Sequence, residues 1–279
     1  MLPEFPDRLD AATIEAALLA GAGAAPGMSG RLTGPVQVFE SLASTSTHLM
    51  GLARCGATEG TIVLADEQTA GRGRFLRAWH SARGLGLWFS VLLRPAVTPE
   101  AAAPLTILAG LAVREVAEQV SGAPARLKWP NDVWLHGRKL AGILGETSQP
   151  GVGGEPAPLI LGIGLNVHHR ETDFPAELRQ HATSLAMARD VALPRGMILA
   201  AIINAFRARY LHYLEGGLAP FIEEWDRHAL WIGERVHASA GRRVLQGVAL
   251  GLGQTGGMRL LADGGKEEIV VSGELELER

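Results

Sequence analysis

The chain has 279 residues, of which 47% are hydrophobic and 20% are charged, a balance typical of a globular protein with room for a sizeable core. Its net charge of −3 and its pI near 6.3 argue against a DNA-binding domain, because such domains usually carry a strongly basic surface. Its one cysteine excludes an intrachain disulfide, and no apolar run reaches the roughly 18 residues of a membrane-spanning helix, so we expect a cytoplasmic protein that binds no membrane.

The first 35 residues are predicted to form a short helix and a linker. Asp10 is a good N-cap for a helix from Ala11 to Ala20, and Gly21 is a good stop. The apolar part of this segment is similar to a signal peptide, but the residues before it are mostly acidic, whereas signal peptides begin with basic residues. The small residues from Ala22 to Gly34 indicate a linker.

A strand and a helix are predicted to follow the linker. The strand covers Pro35–Glu40, at an edge or as the first strand of a sheet, and the helix runs to about Ala53. Ser44 and Thr45 precede the helix, where their hydroxyl groups are good N-caps. A capping hydroxyl group can also face a ligand, so the capping role does not exclude a binding role.

The stretch from Asp66 to Ser81 combines arginine with glycine and lies between two predicted core strands, Gly60–Ala65 and Leu85–Leu93. Guanidinium groups match phosphate or carboxylate groups, and glycine lets the backbone approach a ligand closely. One basic loop alone is equally consistent with a solvated surface. The residues concerned are Gly71, Arg72, Gly73, Arg74 and Arg77.

A long helix is predicted after the second of these strands. Thr98-Pro99-Glu100 has the features of a helix start, namely an N-cap, proline at the first position and an acid in the first turn. The helix runs to about Val120, and its apolar positions form one packing face. We therefore assign it no chemistry.

A second polar group follows this helix, in the stretch Lys128-Trp-Pro-Asn-Asp132. Pro130 excludes a central strand, and the two residues after it favour a turn. His136-Gly-Arg138 is predicted to be a hairpin turn, after which Lys139 enters a strand that reaches Glu146. Two orientations of Lys139 are open: toward solvent, or into a pocket beside the turn at Asn131 and Asp132.

Glycine also punctuates the next predicted strand, Leu159–Val167, which follows a Gly-Pro-rich loop at residues 148–158. Gly162-Ile-Gly164 is not a dinucleotide-binding fingerprint, because no third glycine and no helix follow it. Asn166 is either a ligand contact or a turn residue. His168 and His169 are neighbours on an extended chain and point to opposite faces, so they make a poor metal pair.

The predicted secondary structure of the chain changes from helices to short strands near residue 232. Two helices are predicted before this point, at Pro194–Leu214 and Ala219–His228. Short alternating strands separated by glycine turns fill Glu234–Leu277 and indicate a small β-barrel. We therefore predict two domains with a boundary near residue 232.

Four of these motifs together are specific although each alone is weak. The motifs are Gly71-Arg-Gly-Arg74 with Trp79, Lys128-Trp-Pro-Asn-Asp132, Gly137-Arg-Lys-Leu-Ala-Gly-Ile-Leu144 and Leu161-Gly-Ile-Gly-Leu-Asn-Val167. In this order and at this spacing they resemble the motifs of biotin protein ligases, the enzymes that join biotin to a lysine of biotin-dependent carboxylases. The resemblance covers residues 36–279.

The resemblance implies an α+β fold, in which a central mixed or antiparallel sheet flanked by helices forms a catalytic domain over residues 36–231. A small SH3-like β-barrel would follow over residues 232–279, where Val271-Ser-Gly-Glu274 resembles the closing motif of the family. Some members carry an N-terminal DNA-binding domain and act as repressors. About 35 preceding residues are too few for that domain, so we expect no DNA binding. The family often pairs its central sheets edge to edge, which is compatible with a homodimer.

The resemblance also implies roles for individual residues. The residues expected to bind biotin are Ser44, Thr45, Gln68, Gly71, Arg72, Arg74, Lys139, Gly142 and Gly162. The residues expected to bind ATP are Arg72, Arg74, Arg77, Trp79, Lys128, Asn131, Lys139 and Asn166. The residues expected to act in catalysis are Lys139, Arg74 and Asp132. Asn131 and Asp132 are candidates to hold Mg²⁺ or to orient the incoming lysine.

Two positions depart from the family pattern. Ser46 stands where an asparagine usually follows Ser-Thr, and Leu76 replaces the third glycine of the arginine loop. The arginine loop is the stretch from Asp66 to Ser81, and the second change raises the question of how readily this loop adopts its conformation.

The implied reaction has two steps, with ATP and biotin as substrates and Mg²⁺ as cofactor. Biotin is first activated to biotinyl-5′-AMP, and a lysine of a biotin carboxyl carrier protein then takes the biotin. Three alternatives share parts of this pattern: a lipoate or octanoate ligase or transferase of the same fold, a transcriptional regulator that senses biotinyl-AMP, and a non-catalytic biotin-binding module. The arginine loop together with Lys128–Asp132 favours the biotin ligase.

Overall fold

The structure is a computed structural model that describes residues 7–22, 32–95, 102–148, 157–189, 193–240 and 243–278. The helices in these ranges are α1 (Ala11–Ala22), α2 (Thr45–Arg54), α3 (Ala102–Ser121), α4 (Leu185–Ala188), α5 (Arg195–Gly216) and α6 (Ala219–His228). The strands are β1 (Val36–Phe39), β2 (Ile62–Ala65), β3 (Gly86–Leu93), β4 (Ala125–Lys128), β5 (Asp132–Leu135), β6 (Arg138–Thr147), β7 (Leu159–Asn166), β8 (Arg235–Ala240), β9 (Arg243–Leu252), β10 (Met258–Ala262), β11 (Glu267–Val270) and β12 (Glu274–Leu277).

Seven of the described strands form one mixed sheet in the order β1-β2-β3-β7-β6-β5-β4. The pair β1–β2 is parallel, and every other neighbouring pair is antiparallel. This arrangement confirms the predicted α+β fold with a central mixed sheet flanked by helices. The predicted edge strand is also confirmed, because β1 lies at the end of this order and pairs with β2 alone among the described strands.

Alternate residues of the central strands face two different layers. Phe89 and Val91 of β3 belong to the main hydrophobic core, which includes residues of α3 and α5. Leu92 instead packs with Leu49 of α2 in a smaller core on the opposite face. Helix α2 therefore covers only part of one face of the sheet, whereas several helices bury the other face.

The face toward α2 carries small residues in the middle of three adjacent strands. Ser90 of β3 pairs with Gly162 of β7, and Gly164 of β7 pairs with Gly142 of β6. Long side chains at these positions would fill the space above the sheet. Their small size leaves room for a cavity on this face.

Five further strands form an antiparallel sheet in the order β11-β10-β9-β8-β12, as expected of a small SH3-like unit. Helix α6 ends at His228 and β8 begins at Arg235, and we propose the domain boundary near residue 232 between them.

Several local predictions can be checked against the described residues. Helix α1 begins at Ala11 as predicted, and Asp10 Oδ2 accepts a hydrogen bond from the Thr13 amide at 2.8 Å, but the helix continues through Gly21 to Ala22. The predicted start of α3 at residues 98–100, most of the Ala22–Gly34 linker and most of the loop at 148–158 lie outside the described residues. No described helix has the length and apolar character needed to cross a membrane.

Candidate active site

A cavity of about 330 Å³ lies on the α2 face of the central sheet. Among the described residues, its walls contain nearly equal numbers of cationic and carboxylate side chains. The cavity therefore offers many hydrogen-bond donors to an anion, although its overall charge is nearly balanced. The cations are Arg72, Arg74, Arg77, Lys128 and Lys139, and the carboxylates are Asp132, Glu146, Glu274 and Glu276.

The cavity brings together almost every residue that the sequence nominated. The lining includes Ser44, Thr45, Gln68, Arg72, Arg74, Arg77, Trp79, Lys128, Asn131, Asp132, Lys139, Gly142, Gly162 and Asn166. Gly71 lies beside the cavity instead, where an added Cβ atom would meet the Trp79 carbonyl oxygen at 2.7 Å and Ser81 Oγ at 2.8 Å. A tight packing requirement therefore explains this glycine.

Gln68 forms the neutral end of the cavity. The amide and hydroxyl groups of Thr45 donate to Gln68 Oε1 at 2.9 and 3.1 Å, and Gln68 Nε2 donates to Ser81 Oγ at 3.0 Å. Ser90 Oγ lies 2.8 Å from Thr45 Oγ1 and 3.0 Å from Ser46 Oγ. These linked groups can both donate to and accept from an uncharged polar ring.

Ser44 caps α2, and its Oγ accepts from the Thr47 amide at 3.4 Å, so the predicted N-cap is confirmed. Ser46 is buried and its hydroxyl lies close to β7, where a Cβ atom added to Gly162 would stand 2.6 Å from Ser46 Oγ. A Cβ atom at position 162 would therefore require the Ser46 hydroxyl group to move.

Trp79 covers the glycines at the floor of the cavity. A Cβ atom added to Gly164 would lie 2.5 Å from Trp79 Nε1, and one added to Gly142 would lie 3.0 Å from Trp79 Cζ3. The Lys139 ammonium group is 5.2 Å from the centre of the same indole ring. The glycines thus make space for the indole ring, and the indole ring in turn forms one wall beside Lys139.

The hairpin of β5 and β6 decides the orientation of Lys139. His136 and Gly137 have φ angles of 50° and 72° and form a two-residue turn. The hairpin predicted at His136-Gly-Arg138 is therefore present, but Arg138 already belongs to β6. Asp132 pairs with Gly142 across the hairpin, and the Lys139 Nζ atom lies 2.7 Å from Asp132 Oδ1. Lys139 therefore points into the cavity, and the alternative of a solvent-facing lysine is excluded.

The arginine loop has an unusual backbone at its tip. Phe75 and Leu76 have φ angles of 55° and 60°, in the left-handed region that favours glycine. For residues with a Cβ atom this region costs about 1–2 kcal/mol each. Leu76 is 85% exposed, so its side chain has little packing to offset that cost. The missing family glycine therefore adds local strain, while the loop keeps its arginines at the cavity.

Each arginine of the loop is held by a group from elsewhere in the chain. Arg72 Nη2 donates to Thr47 Oγ1 at 3.0 Å and lies 3.3 Å from Glu146 Oε1. Arg74 Nη1 donates to the Gly273 carbonyl at 2.7 Å, and Arg77 Nη2 donates to Glu274 Oε2 at 2.9 Å. Arg74 thus contacts the turn before β12 and Arg77 contacts the first residue of β12, so the C-terminal sheet closes one side of the cavity.

Lys128 lies between two tryptophans. Its Nζ atom is 5.2 Å from the centre of the Trp134 ring and 5.0 Å from that of Trp231, a residue just before β8. Burial lowers the pKa of Lys128, and the nearby charge of Lys139 acts in the same direction. The adjacent Trp129 is buried, and its Nε1 atom donates to the Gly256 carbonyl at 3.0 Å. These contacts join the Lys128–Asp132 motif to the C-terminal sheet.

His169 supports the wall of the cavity from behind. Its ring is fully buried, stacks on Phe174 with a centroid distance of 4.5 Å, and lies 6.1 Å from the ring of His80. Neither ring nitrogen has a well-formed hydrogen bond among the described residues, and the Leu85 carbonyl gives only a weak interaction. Burial, reinforced by His80, lowers the pKa of His169 to about 4.

We expect the His169→Phe variant to lose part of the acid sensitivity of the fold. A lowered histidine pKa means that the unfolded chain binds the proton more tightly, so stability is complete above the unfolded pKa near 6.5 and falls as the pH drops toward 4. Between pH 7 and pH 5 the parent should lose about 2 kcal/mol more unfolding free energy than the variant. Urea titrations at both pH values measure this difference. His136→Asn, at an exposed turn, is the control, and a parent-like pH response of His169→Phe would contradict the expectation.

Several residues of the site were not found from the sequence. Ser90 lies in a strand that reads as continuous core, and Glu146 and Glu274 were not recognised as partners of arginine. His181 and Ala182 also line the cavity. The Lys139 amide donates to the His181 carbonyl at 2.8 Å, and this bond holds their segment beside β6. Among the described residues no group of three or more His, Cys, Asp or Glu side chains could hold a metal ion.

Comparisons with known proteins agree with this geometry. Residues 38–166 match the biotin/lipoate A/B protein ligase family. The bifunctional ligase/repressor BirA of Bacillus subtilis is 38% identical over 236 residues, which is 85% of this chain and 72% of that protein. The biotin–[acetyl-CoA-carboxylase] ligase of Mycobacterium tuberculosis is 35% identical over 243 residues, 85% of this chain and 86% of that protein.

The solved structures give the same result. The biotin protein ligase from Aquifex aeolicus in complex with biotin and ATP is 32% identical, with a TM-score of 0.76 over 88% of this chain and 98% of that one. A fold match at this identity extends beyond the matched family region into the C-terminal sheet. The chain therefore belongs to the biotin protein ligases of the biotin/lipoate A/B protein ligase family.

Proposed function

We propose that the chain activates biotin with ATP and transfers it to a lysine of a biotin carboxyl carrier protein. The observation that carries the proposal is that one cavity has a neutral polar end at Gln68 and a cationic region at Lys139 and the arginine loop. Biotin has an uncharged ureido ring and a carboxylate, so its two ends match these two regions. The cavity volume of about 330 Å³ lies in the range of small-molecule sites, and ATP would extend toward the arginines.

In the first step, a biotin carboxylate oxygen attacks the α-phosphorus of ATP. A new P–O bond forms, the bond from the α-phosphorus to the bridging oxygen breaks, and pyrophosphate leaves. Both reactants are anionic, so Lys139 lowers the barrier by placing a positive charge between them. Arg72 and Arg74 hold the carboxylate and the phosphates in position.

In the second step, the amine nitrogen of the acceptor lysine attacks the acyl carbon of biotinyl-5′-AMP. A C–N bond forms, the bond between the acyl carbon and the phosphate oxygen breaks, AMP leaves, and the amine releases a proton. Asp132 lies within the cavity at 2.7 Å from Lys139, where its carboxylate can accept a hydrogen bond from the incoming amine.

Asn131 and Asp132 also fit a role in holding Mg²⁺. Asn131 Nδ2 donates to the Ile143 carbonyl at 2.8 Å, so the Oδ1 atom of Asn131 is the atom that could bind the ion. Asp132 would supply a carboxylate. Mg²⁺ in nucleotide sites is usually bound by one or two carboxylates together with substrate phosphates and waters. At this place the ion would neutralise phosphate charge.

We expect the Arg74→Gly variant to retain biotinyl-5′-AMP poorly. Arg74 is one of the cations that would enclose the acyl phosphate, and loss of one charge-assisted hydrogen bond corresponds to a release about tenfold faster or more. The half-life of the enzyme-bound intermediate without acceptor measures the effect. Arg83→Gly is the matched control, because Arg83 is half-exposed and pairs with Glu67 at 3.5 Å. Equal half-lives for parent and Arg74→Gly would show that Arg74 does not retain the intermediate.

Biotin-dependent exchange between ATP and pyrophosphate tests the proposed function directly. The assay is run with biotin, lipoate and octanoate separately, in the presence of Mg²⁺ and without an acceptor protein. Exchange with biotin alone is the expected result. Exchange with lipoate or octanoate instead would assign the chain to that substrate. A folded sample without exchange would contradict adenylation.

A further inference from the structure

Arg195, the first residue of α5, joins three segments of the chain and is almost fully buried. Its Nε atom donates to Asp7 Oδ1 at 2.8 Å, and its Nη1 atom donates to Asp66 Oδ1 at 2.8 Å and to the Gly86 carbonyl at 3.2 Å. Its Nη2 atom and its backbone amide donate to the Asp7 carbonyl and to Asp7 Oδ2, each at 2.6 Å. A buried guanidinium group requires such pairing, because its desolvation is otherwise strongly unfavourable.

These contacts, which we call the Arg195 junction (Asp7, Asp66, Gly86 and Arg195), adjoin segments of the chain that lead into the cavity. Asp66 is the residue after β2 and stands two residues before Gln68. Gly86 begins β3 and pairs in register with Asn166, the last residue of β7. The Arg195 junction therefore holds the strand ends from which Gln68 and Asn166 enter the cavity.

Asp7 brings the N-terminal segment into this junction. Its Oδ1 atom also lies 3.3 Å from the Nε2 atom of His168, two residues beyond Asn166. Burial alone would raise the pKa of Asp7, but hydrogen bonds from His168 and Arg195 lower it to about 2. Asp7 is therefore a carboxylate at neutral pH, and it supplies Arg195 with three of its hydrogen-bond acceptors.

We propose that Arg195 and Asp7 are positioning residues for the biotin site. Through Asp66 they fix the chain that carries Gln68, and through Gly86 and His168 they fix the end of β7 that carries Asn166. The segment before the matched family region thus acts on substrate binding. The kinetic test of this inference rests on the proposed function, because it measures biotin-dependent exchange.

The test compares two buried arginines on the same helix. Arg207 of α5 is also buried and also holds the N-terminal part of the chain, through the carbonyl groups of Leu18 at 3.4 Å and Leu32 at 3.1 Å. Neither acceptor adjoins a cavity residue. Arg207→Met therefore resembles Arg195→Met in burial and in loosening the N-terminal part of the chain, but Arg207 contacts carbonyl groups whereas Arg195 pairs with two carboxylates.

We expect Arg195→Met to raise the KM for biotin in the exchange assay about tenfold while kcat stays within about twofold. Asp7→Asn, which keeps the side-chain shape, should raise KM about threefold and covers the case in which Arg195→Met fails to fold. Asp66→Asn, which keeps one acceptor oxygen, should be milder than Asp66→Ala. Arg207→Met should leave KM unchanged. An unchanged KM in Arg195→Met and Asp7→Asn, or an equal rise in Arg207→Met, would overturn the proposal.

Hydrogen exchange separates failure of this inference from failure of the proposed function. The Gln68 amide donates to the Ser81 carbonyl at 3.2 Å, and the exchange rate of this amide can be measured without any enzyme activity. Arg195→Met should speed exchange of peptides covering residues 66–70, whereas Arg207→Met should speed exchange only near residues 11–22 and 32–36. If the parent is inactive with biotin, this comparison still decides the positioning role, and equal rates at 66–70 in all three proteins would refute it.

Discussion

The Lys139→Met variant is expected to lose adenylation almost completely, with ATP–pyrophosphate exchange reduced about 10³-fold. Lys139 Nζ is the cation that points into the cavity from β6, beside Asp132 and over the face of Trp79. Methionine keeps much of the side-chain volume and removes the charge. Because the charge acts between two anionic reactants, we expect kcat to fall far more than the affinity for biotin.

Removing Lys139 also leaves Asp132 without its ion-pair partner, so loss of stability must be separated from loss of chemistry. The double variant Lys139→Met with Asp132→Asn should restore the thermal midpoint without restoring exchange. Arg138→Met is the matched control on the same strand, because Arg138 Nη1 donates to the Arg179 carbonyl outside the cavity. Near-parent exchange by a folded Lys139→Met protein would remove Lys139 from the mechanism.

The Gly164→Ala variant is expected to weaken biotin binding about 100-fold, the scale that a displacement of about 1 Å can produce in a positioned site. The added Cβ atom would stand 2.5 Å from Trp79 Nε1 and 2.6 Å from Trp79 Cε2, so the indole ring must move. Trp79 carries the end of the arginine loop, and its displacement would disturb the wall beside Lys139. Calorimetric titration with biotin measures the change.

A second substitution identifies the cause of the expected loss. If the contact with Trp79 is responsible, a double-mutant cycle of Gly164→Ala with Trp79→Phe should show strong coupling, because the smaller ring leaves space for the methyl group. Gly110→Ala is the control, since among the described side chains its Cβ atom would meet Leu127 Cδ2 alone, at 3.4 Å, and the change falls inside a helix. Additive effects in the cycle would contradict the steric explanation.

The fold and much of the site follow from local sequence signals. The turn at residues 136–138 was predictable because Gly137 accepts the positive φ angle that a tight hairpin turn requires, and the hairpin then placed Lys139 in a strand near Asp132. The face on which Lys139 lies was not predictable. It depends on the irregular register between Val133 and Trp134, which no local pattern encodes.

The partners of the arginines were not predictable for a related reason. Arg74 and Arg77 contact Gly273 and Glu274, almost 200 residues away, and no periodicity links positions so distant. Ser90 reads as one polar residue in an apolar strand until α2 brings Thr45 within 2.8 Å. Nor did the N-terminal segment contain a motif that would have placed Asp7 against Arg195.

The contacts between the two sheets limit how this enzyme can be recombined with its relatives. In the C-terminal sheet, Gly273 and Glu274 accept hydrogen bonds from the arginine loop, and Gly256 accepts one from Trp129. Trp231, between α6 and β8, covers Lys128. Two of these contacts use backbone carbonyl groups, whose positions depend on turn length rather than on side-chain identity. A chimera that takes its C-terminal sheet from another ligase should therefore work only if the turns at 253–257 and 271–274 have the same length, however similar the remaining residues are.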